Sequence, residues 1–273
     1  MIPLCNLHTH TTYCDGVNTP EEMVQEALRM GCHTLGFSGH APADLWGSED
    51  WAIPVSKMTA YRDELFSLKQ KYADQIEILV GLELDYYSPK PDWVEYTIGS
   101  VHQLKLGGDV EIPVDLAYDQ VYRLVGEVYG GDFMAYAKDF YALSADVANR
   151  TQCDIVGHFD LLTKFNEKYH YLDESDPRYQ AMALEALDAV MEKNVLFEMN
   201  TGAISRGWRS TPYPAPFLLK HLAQKKGRVI LNSDAHSREN LLCCFEDSVE
   251  YARACGLREL WVYRNGHFEP FAI

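Results

Sequence analysis

Histidines and carboxylates recur at the ends of short apolar runs in this chain, from His8 and His10 in LCNLHTHTTYCDG to Asp234 and His236 in VILNSDAHS. Between them come Asp15, His40 in LGFSGHAP, Glu83 in ILVGLELDYY, His102 in TIGSVHQL and His158 in DIVGHFDLL. These nine side chains on six strand-like segments offer imidazole and carboxylate donors without clustered thiolates, a set that suits zinc, manganese or iron. His8 and His10 are two apart, so on extended backbone they face the same way and can reach one ion together. Glu83 ends an apolar run, where a buried carboxylate is costly unless cations surround it. The same holds for Asp234, which alternates with Asn232 and His236 and shares their face if that strand stays extended. A single strand-end histidine is more often a hydrogen-bonded core residue than a ligand. His40, His102 and His158, however, all fall at one end of the expected sheet. Nine donors exceed the needs of one ion and suffice for three, with positions left for water and substrate and with Glu83 able to bridge. His33 opens a strand and belongs to the opposite end, and His221 and His267 receive no role.

The elements that must position these donors are legible from period and punctuation. Strands are expected near 2–8, 33–39, 76–84, 97–102, 153–158, 195–200 and 228–233, with a last one near 259–263 and helices between. Such alternation implies parallel strands with right-handed crossovers, which close more readily into a barrel than an open doubly wound sheet, the alternative. Barrels present their chemistry at the C-terminal ends of the strands, which is where the donors lie. Thr19-Pro20-Glu21-Glu22 combines an N-cap, a first-turn proline and a capping-box glutamate, and Gly31 stops that helix. A helix near 177–193 should turn Leu184, Leu187, Val190 and Met191 toward the sheet. The stretch GGDVEIPVDLAYD at 107–119 reads as a hairpin or loop, and 118–151 has room for two helices; both are expected over the mouth. The polar and aromatic loop 164–179 follows His158 on the rim, where loops choose substrates. Nothing marks a domain boundary, so 1–273 reads as a single α/β domain.

Composition narrows the partners. A formal charge of −16, from 24 basic and 40 acidic residues, opposes nucleic acid and suits a small substrate with positive charge of its own, although acidity also serves solubility. No run of about 18 apolar residues suggests a membrane span, and the first ten residues read as strand and ligand rather than signal peptide. A cytoplasmic protein is expected. Seven cysteines without CxxC spacing give no disulfide framework. Cys14, beside Asp15, reads as packing, as does the vicinal pair Cys243 and Cys244.

In order and as a set, HTHTTYCDG, GFSGHAP, GLELDYY, GSVHQL, GHFDLLTKF, NTGAISRG and NSDAHS resemble the polymerase and histidinol phosphatase (PHP) family of metal-dependent phosphoesterases, its histidinol-phosphate phosphatase branch in particular. The resemblance implies a distorted (β/α)7 TIM-like barrel with three divalent ions at the C-terminal ends of its strands. By motif, His8, His10, Glu83 and Asp234 would hold the first ion. Glu83, His102 and His158 would hold the second, and Asp15, His40 and His236 the third. Asp15 stands at a position that varies in the family and is often histidine. The implied reaction converts L-histidinol phosphate to L-histidinol and phosphate in histidine biosynthesis; the alternative is another small phosphate monoester or a nucleotide.

For such a reaction a hydroxide bridging two ions is expected to attack phosphorus in line while the ions neutralise the phosphate oxygens. Arg206 in NTGAISRG and Lys164 in FDLLTKF are expected to bind phosphate, the one as a planar fork and the other as a point charge. Arg209 lies close enough in sequence to be mistaken for Arg206. The leaving alkoxide needs a proton from bound water or from a site histidine or aspartate such as Asp234. Asp85, Tyr86, Tyr87, Glu198 and His170 are candidates to receive the amine and imidazole of histidinol. A purely structural metal centre would be closed and rich in cysteine, so the surplus of histidine and carboxylate favours catalysis. The sequence gives no sign of oligomeric state.

Overall fold

The computed structural model describes residues 2–107 and 110–273. Its strands are β1 (Cys5–Asn6), β2 (Thr34–Phe37), β3 (Glu77–Asp85), β4 (Tyr96–Ser100), β5 (Gln103–Leu106), β6 (Val110–Pro113), β7 (Ile155–Val156), β8 (Leu196–Asn200), β9 (Val229–Asn232), β10 (Glu259–Arg264) and β11 (His267–Ala272). Its helices are α1 (Pro20–Arg29), α2 (Met58–Lys71), α3 (Tyr118–Tyr129), α4 (Phe133–Thr151), α5 (Asn166–Tyr169), α6 (Pro177–Met191), α7 (Gly202–Ser205), α8 (Pro216–Lys225) and α9 (Phe245–Ala254).

The main sheet runs β1-β2-β3-β4-β7-β8-β9-β10-β11, parallel except for the terminal β10–β11 hairpin. Neighbours in the sheet follow chain order, without the reversal of a doubly wound sheet. This mixed α/β sheet curls until the chain beyond β1 meets the chain beyond β9. There Thr9 and Ala235 form a parallel bridge, with His10 N–H donating to Ala235 O at 2.9 Å and Ala235 N–H to His8 O at 3.1 Å. Next to this bridge two buried asparagine side chains take over from the backbone ladder. Leu7 N–H donates to Asn232 Oδ1 at 2.8 Å, and Ser233 N–H donates to Asn6 Oδ1 at 2.9 Å.

Strand alternation divides what faces inward from what faces the helices. On β3, Ile78, Val80, Leu82 and Leu84 pack outward with α1 and α2 residues, whereas Leu79 joins an inner cluster with Leu7, Tyr96, Ile98, Ile155, Leu196 and Ile230. The same inward parity then delivers Glu83 from β3, Ser100 from β4, Glu198 and Asn200 from β8, and Asn232 from β9, all buried. Each strand thus carries apolar side chains into the interior first and polar ones after them. The apolar layer fixes the register, because a one-residue slip would turn these carboxylates into the helical layer.

Local expectations are met with instructive exceptions. Thr19 and Glu22 form the reciprocal capping box of α1. In α6 the buried stripe is Tyr179, Ala183, Ala186, Leu187 and Val190, while Leu184 and Met191 are only partly buried at its margin. Small alanines occupy the centre because α4 packs closely along α6. This contact also corrects the expectation that 118–151 covers the mouth: the region forms two helices, but α4 lies on the outer layer against α6 and β4. The expected hairpin at 107–119 begins earlier, as β5 pairs antiparallel with β6, and Gly108 and Asp109 lie outside the described residues.

Two stability effects follow. Asn6→Ala leaves the Ser233 N–H without its acceptor in the buried seam and should cost about 2 kcal/mol, read as a lower urea midpoint of the chelator-treated protein; an unchanged midpoint would show that the seam does not depend on that bond. Asp160 Oδ2 accepts from Ala215 N–H at 2.8 Å, and burial raises its pKa from 3.8 to about 6 despite nearby Arg209. Because the folded pKa lies above the unfolded one, its contribution is fully present below about pH 4 and is lost as pH rises through 6. Relative to wild type, Asp160→Asn should therefore gain on the order of 2–3 kcal/mol between pH 4 and pH 8, measured by urea titration at each pH. A pH-independent difference would remove Asp160 from that account.

Candidate metal centre

Glu83 is the hub of the site. Its Oε2 lies 3.2 Å from His8 Nε2, 3.7 Å from His10 Nε2 and 2.9 Å from His40 Nδ1. Its Oε1 lies 3.0 Å from His158 Nε2 and 3.3 Å from His102 Nε2, and accepts from Ser100 Oγ–H at 2.7 Å. Burial works to raise the Glu83 pKa, but the imidazoles of His8, His102 and His40 outweigh it and hold the carboxyl well below its usual range. Ser100, two residues before His102, reaches Glu83 because β3 and β4 pair with Glu83 opposite Ile98.

Asp234 forms the second focus. Its Oδ1 is 3.2 Å from His10 Nε2, 3.5 Å from His236 Nδ1 and 3.7 Å from His8 Nε2. The alternation expected for Asn232, Asp234 and His236 does not persist, since β9 ends at Asn232 and Asp234 has a left-handed φ of 50°. Asn232 consequently stays in the interior against Leu7 and Glu198, and the turn lifts Asp234 and His236 to the cavity. Aspartate tolerates this conformation better than most residues. A third group gathers His10, Asp15, His40 and His236, with Asp15 Oδ2 3.1 Å from His236 Nε2 and 3.7 Å from His40 Nε2.

All nine expected donors thus come together, in four overlapping sets: His10-Asp15-His40-His236, His8-His158-Asp234, His8-His10-Glu83 and His40-Glu83-His102. His8 Nε2, His10 Nε2, His40 Nδ1 and Glu83 Oε2 are buried without a hydrogen-bond partner. Donors sharing one ion at about 2.0–2.2 Å lie roughly 3–3.5 Å apart, the spacing seen around Glu83 and Asp234. The donor set therefore fits divalent transition ions. Oriented side chains back the donors: Glu198 Oε1 is 2.6 Å from His8 Nδ1, which fixes the proton there and frees Nε2 to face the site. Glu198 Oε2 also accepts from His158 N–H and from Asn200 Nδ2–H, and Asp85 Oδ2 accepts from His102 N–H at 2.8 Å. Cys14 backs His10 Nδ1 at 3.6 Å with a thiol that burial pushes up to about 12.

The donors open onto a cavity of about 300 Å³ that is also lined by Trp51, Gln103, Asp115, Leu161, Lys164 and Arg206. Arg206 Nη2–H donates to Asp234 Oδ2 at 2.9 Å. This pair crosses directly over Gly202, where a Cβ would approach Asp234 Oδ2 to 2.6 Å and Arg206 Nη2 to 2.7 Å. Lys164 Nζ–H donates to Asp115 O at 2.8 Å and to Asp115 Oδ2 at 3.0 Å. Arg209 points elsewhere: it is buried against Thr163, with its guanidinium 4.6 Å from the Tyr213 ring centroid.

The five residues considered for the substrate's amine and imidazole do not line the cavity. Glu198 and Asp85 are buried supports of His8 and His102. Tyr86 O–H donates to Asp146, Tyr87 Oη accepts from Lys105 N–H, and His170 ends α5. The support role of Glu198 was accessible from its alternation with Asn200 in LFEMN. Trp51 and Asp115, by contrast, come from irregular segments with no periodic signal.

Comparison with known proteins agrees with this architecture. The PHP domain family matches residues 6–202. A protein of Deinococcus radiodurans named "Probable histidinol-phosphatase" is 31% identical over 99% of this chain and 100% of its own length. The histidinol-phosphatase of Bacillus subtilis is 24% identical, over 89% of this chain and 97% of its own. Among solved structures, histidinol phosphate phosphatase from Lactococcus lactis, complexed with zinc, L-histidinol and phosphate, has a TM-score of 0.70 at 18% identity, covering 97% of this chain and 98% of that one. At that identity the likeness concerns the fold. The chain belongs to the PHP domain family.

Proposed function

We propose that this protein is a metal-dependent phosphatase that hydrolyses L-histidinol phosphate to L-histidinol and phosphate, a step of histidine biosynthesis. The observation that carries this reading is the convergence of unpartnered, buried imidazole and carboxylate atoms beside Arg206 and Lys164 at one cavity. Names of full-length relatives support the substrate. We read residues 1–273 as one domain, a distorted (β/α)7 barrel whose staves are β1, β2, β3, β4, β7, β8 and β9. Three ions of zinc, manganese or iron fit the donors. His8, His10, Glu83 and Asp234 would hold one, Glu83, His102 and His158 a second, and Asp15, His40 and His236 a third. Among the described residues no helix is long and apolar enough to cross a membrane, and the free cysteines suit the reducing cytoplasm.

Bound ions of this kind supply Lewis acidity, lowering the pKa of water and neutralising phosphate charge. The protein's own groups bind and orient the substrate. Arg206, fixed by Asp234, presents its guanidinium to phosphate oxygens, and Lys164 adds an ammonium held beside it by Asp115. Asp234 is kept ionised: burial opposes this, but Arg206 and His8 outweigh it. Its Oδ2 anchors Arg206 while its Oδ1 faces His8 and His10, the place of an ion ligand rather than of a free base.

A panel of histidinol phosphate, nucleoside monophosphates and a short oligonucleotide, assayed with added manganese, zinc or iron, should show fastest phosphate release from histidinol phosphate. Chelation should abolish release; activity in metal-free protein would refute the assignment, and faster release from a nucleotide would move the substrate. Arg206→Ala should lower kcat/KM for phosphate monoesters roughly 100-fold while metal analysis finds the same content. Unchanged kinetics would acquit that arginine.

A further inference from the structure

Among the described residues four carboxylates line the cavity, and three of them, Asp15, Glu83 and Asp234, belong to the donor sets. Asp115 is the fourth and belongs to none. It follows β6, and the neighbouring Val114 N–H donates to His102 O at 2.8 Å, which ties this segment to the site. Its carboxylate faces Lys164 Nζ at 3.0 Å. Lys164 is buried and Asp115 half-buried at the mouth, and the attraction of Lys164 holds the Asp115 carboxyl low against the opposing effect of burial.

An anion and a cation side by side in a cavity are complementary to a substrate bearing both charges on adjacent groups. In a 2-aminoalkyl phosphate the ammonium sits two carbons from the ester oxygen, so phosphate and ammonium can replace the two partners of one protein ion pair at once. We infer that Asp115 is the specificity residue that receives the substrate's ammonium group, freed for it as Lys164 turns to the phosphate. This deepens the phosphatase assignment and rests on it for the position of the phosphate. Exchange of partners leaves neither charge unpaired, whereas a monoester with a neutral tail would draw Lys164 away and leave the half-buried Asp115 carboxylate without its cation. Selectivity then comes from the cost imposed on the wrong ligand as well as from contact with the right one. Leu116, Leu161 and Trp51 supply the apolar surface around the pair for the rest of the tail.

The test uses the metal-loaded full chain and Asp115→Asn, whose amide oxygen still accepts from Lys164. For histidinol phosphate against p-nitrophenyl phosphate, which lacks an ammonium, the ratio of kcat/KM values should fall about tenfold or more, the loss of one charge-assisted hydrogen bond. Calorimetric titration with L-histidinol and, separately, inorganic phosphate should show the Kd of histidinol rising about tenfold more than that of phosphate. An unchanged ratio, or a larger loss for phosphate, would overturn the inference and leave Asp115 as an anchor of Lys164. Wild-type protein that hydrolyses neither ester would sink the phosphatase assignment instead, and the histidinol titration still decides Asp115: no difference between the two proteins overturns it.

Discussion

A buried carboxylate ringed by imidazoles governs this molecule. Glu83 touches five histidines from four separate segments, and its charge cannot be left alone in an interior where unpaired ions are strongly disfavoured. Imidazoles offset that penalty, yet His8 Nε2, His10 Nε2, His40 Nδ1 and Glu83 Oε2 sit buried together without a hydrogen-bond partner. Bound cations would complete the arrangement, and the donor set suits them. The protein therefore holds its donors in the ligating geometry by means of everything else in the fold, against their tendency to relax into ordinary ion pairs.

That holding is done in two layers. Nearest the site, Glu198 fixes the His8 ring, Asp85 holds the His102 backbone, and Asn200 and Ser100 orient the carboxylates of Glu198 and Glu83 through short hydrogen bonds. Beneath them, the inner cluster around Leu7, Leu79, Tyr96, Ile98 and Ile230 sets strand register, so that the polar inward positions fall at one height. Tyr96 O–H donates to Leu7 O at 2.5 Å across this interior, immediately before His8 in the chain. Packing determines where the charges lie, and the charges determine what can bind.

How much of this was legible follows from how each residue is placed. His8, His40, Glu83, His102 and His158 end apolar strands, so hydrophobic patterning located them and parity aimed them inward. Asp234 was locatable but its backbone was not, because a left-handed turn at a single aspartate leaves no periodic trace. Trp51 and Asp115 enter the cavity from irregular segments whose course depends on tertiary packing. The outer position of α4 was hidden for a related reason: its amphipathic pattern shows that one face is buried, but only the partner α6, with its row of small alanines, says where.

The asparagine seam bears on the order in which the molecule can assemble. Leu7 finds its acceptor in Asn232, 225 positions further along the chain, and His8 and His10 meet Asp234 across the same join. During synthesis the opening strand has no closing neighbour until β9 has emerged, so a nascent polypeptide cannot complete its ion-binding pocket early. Long-range closure of this kind is slow to form because loop entropy must be overcome before the contacts reward it. Any ion the donors hold would arrive only with ring closure, and would then act as a clasp, favouring the joined ends over the open curl.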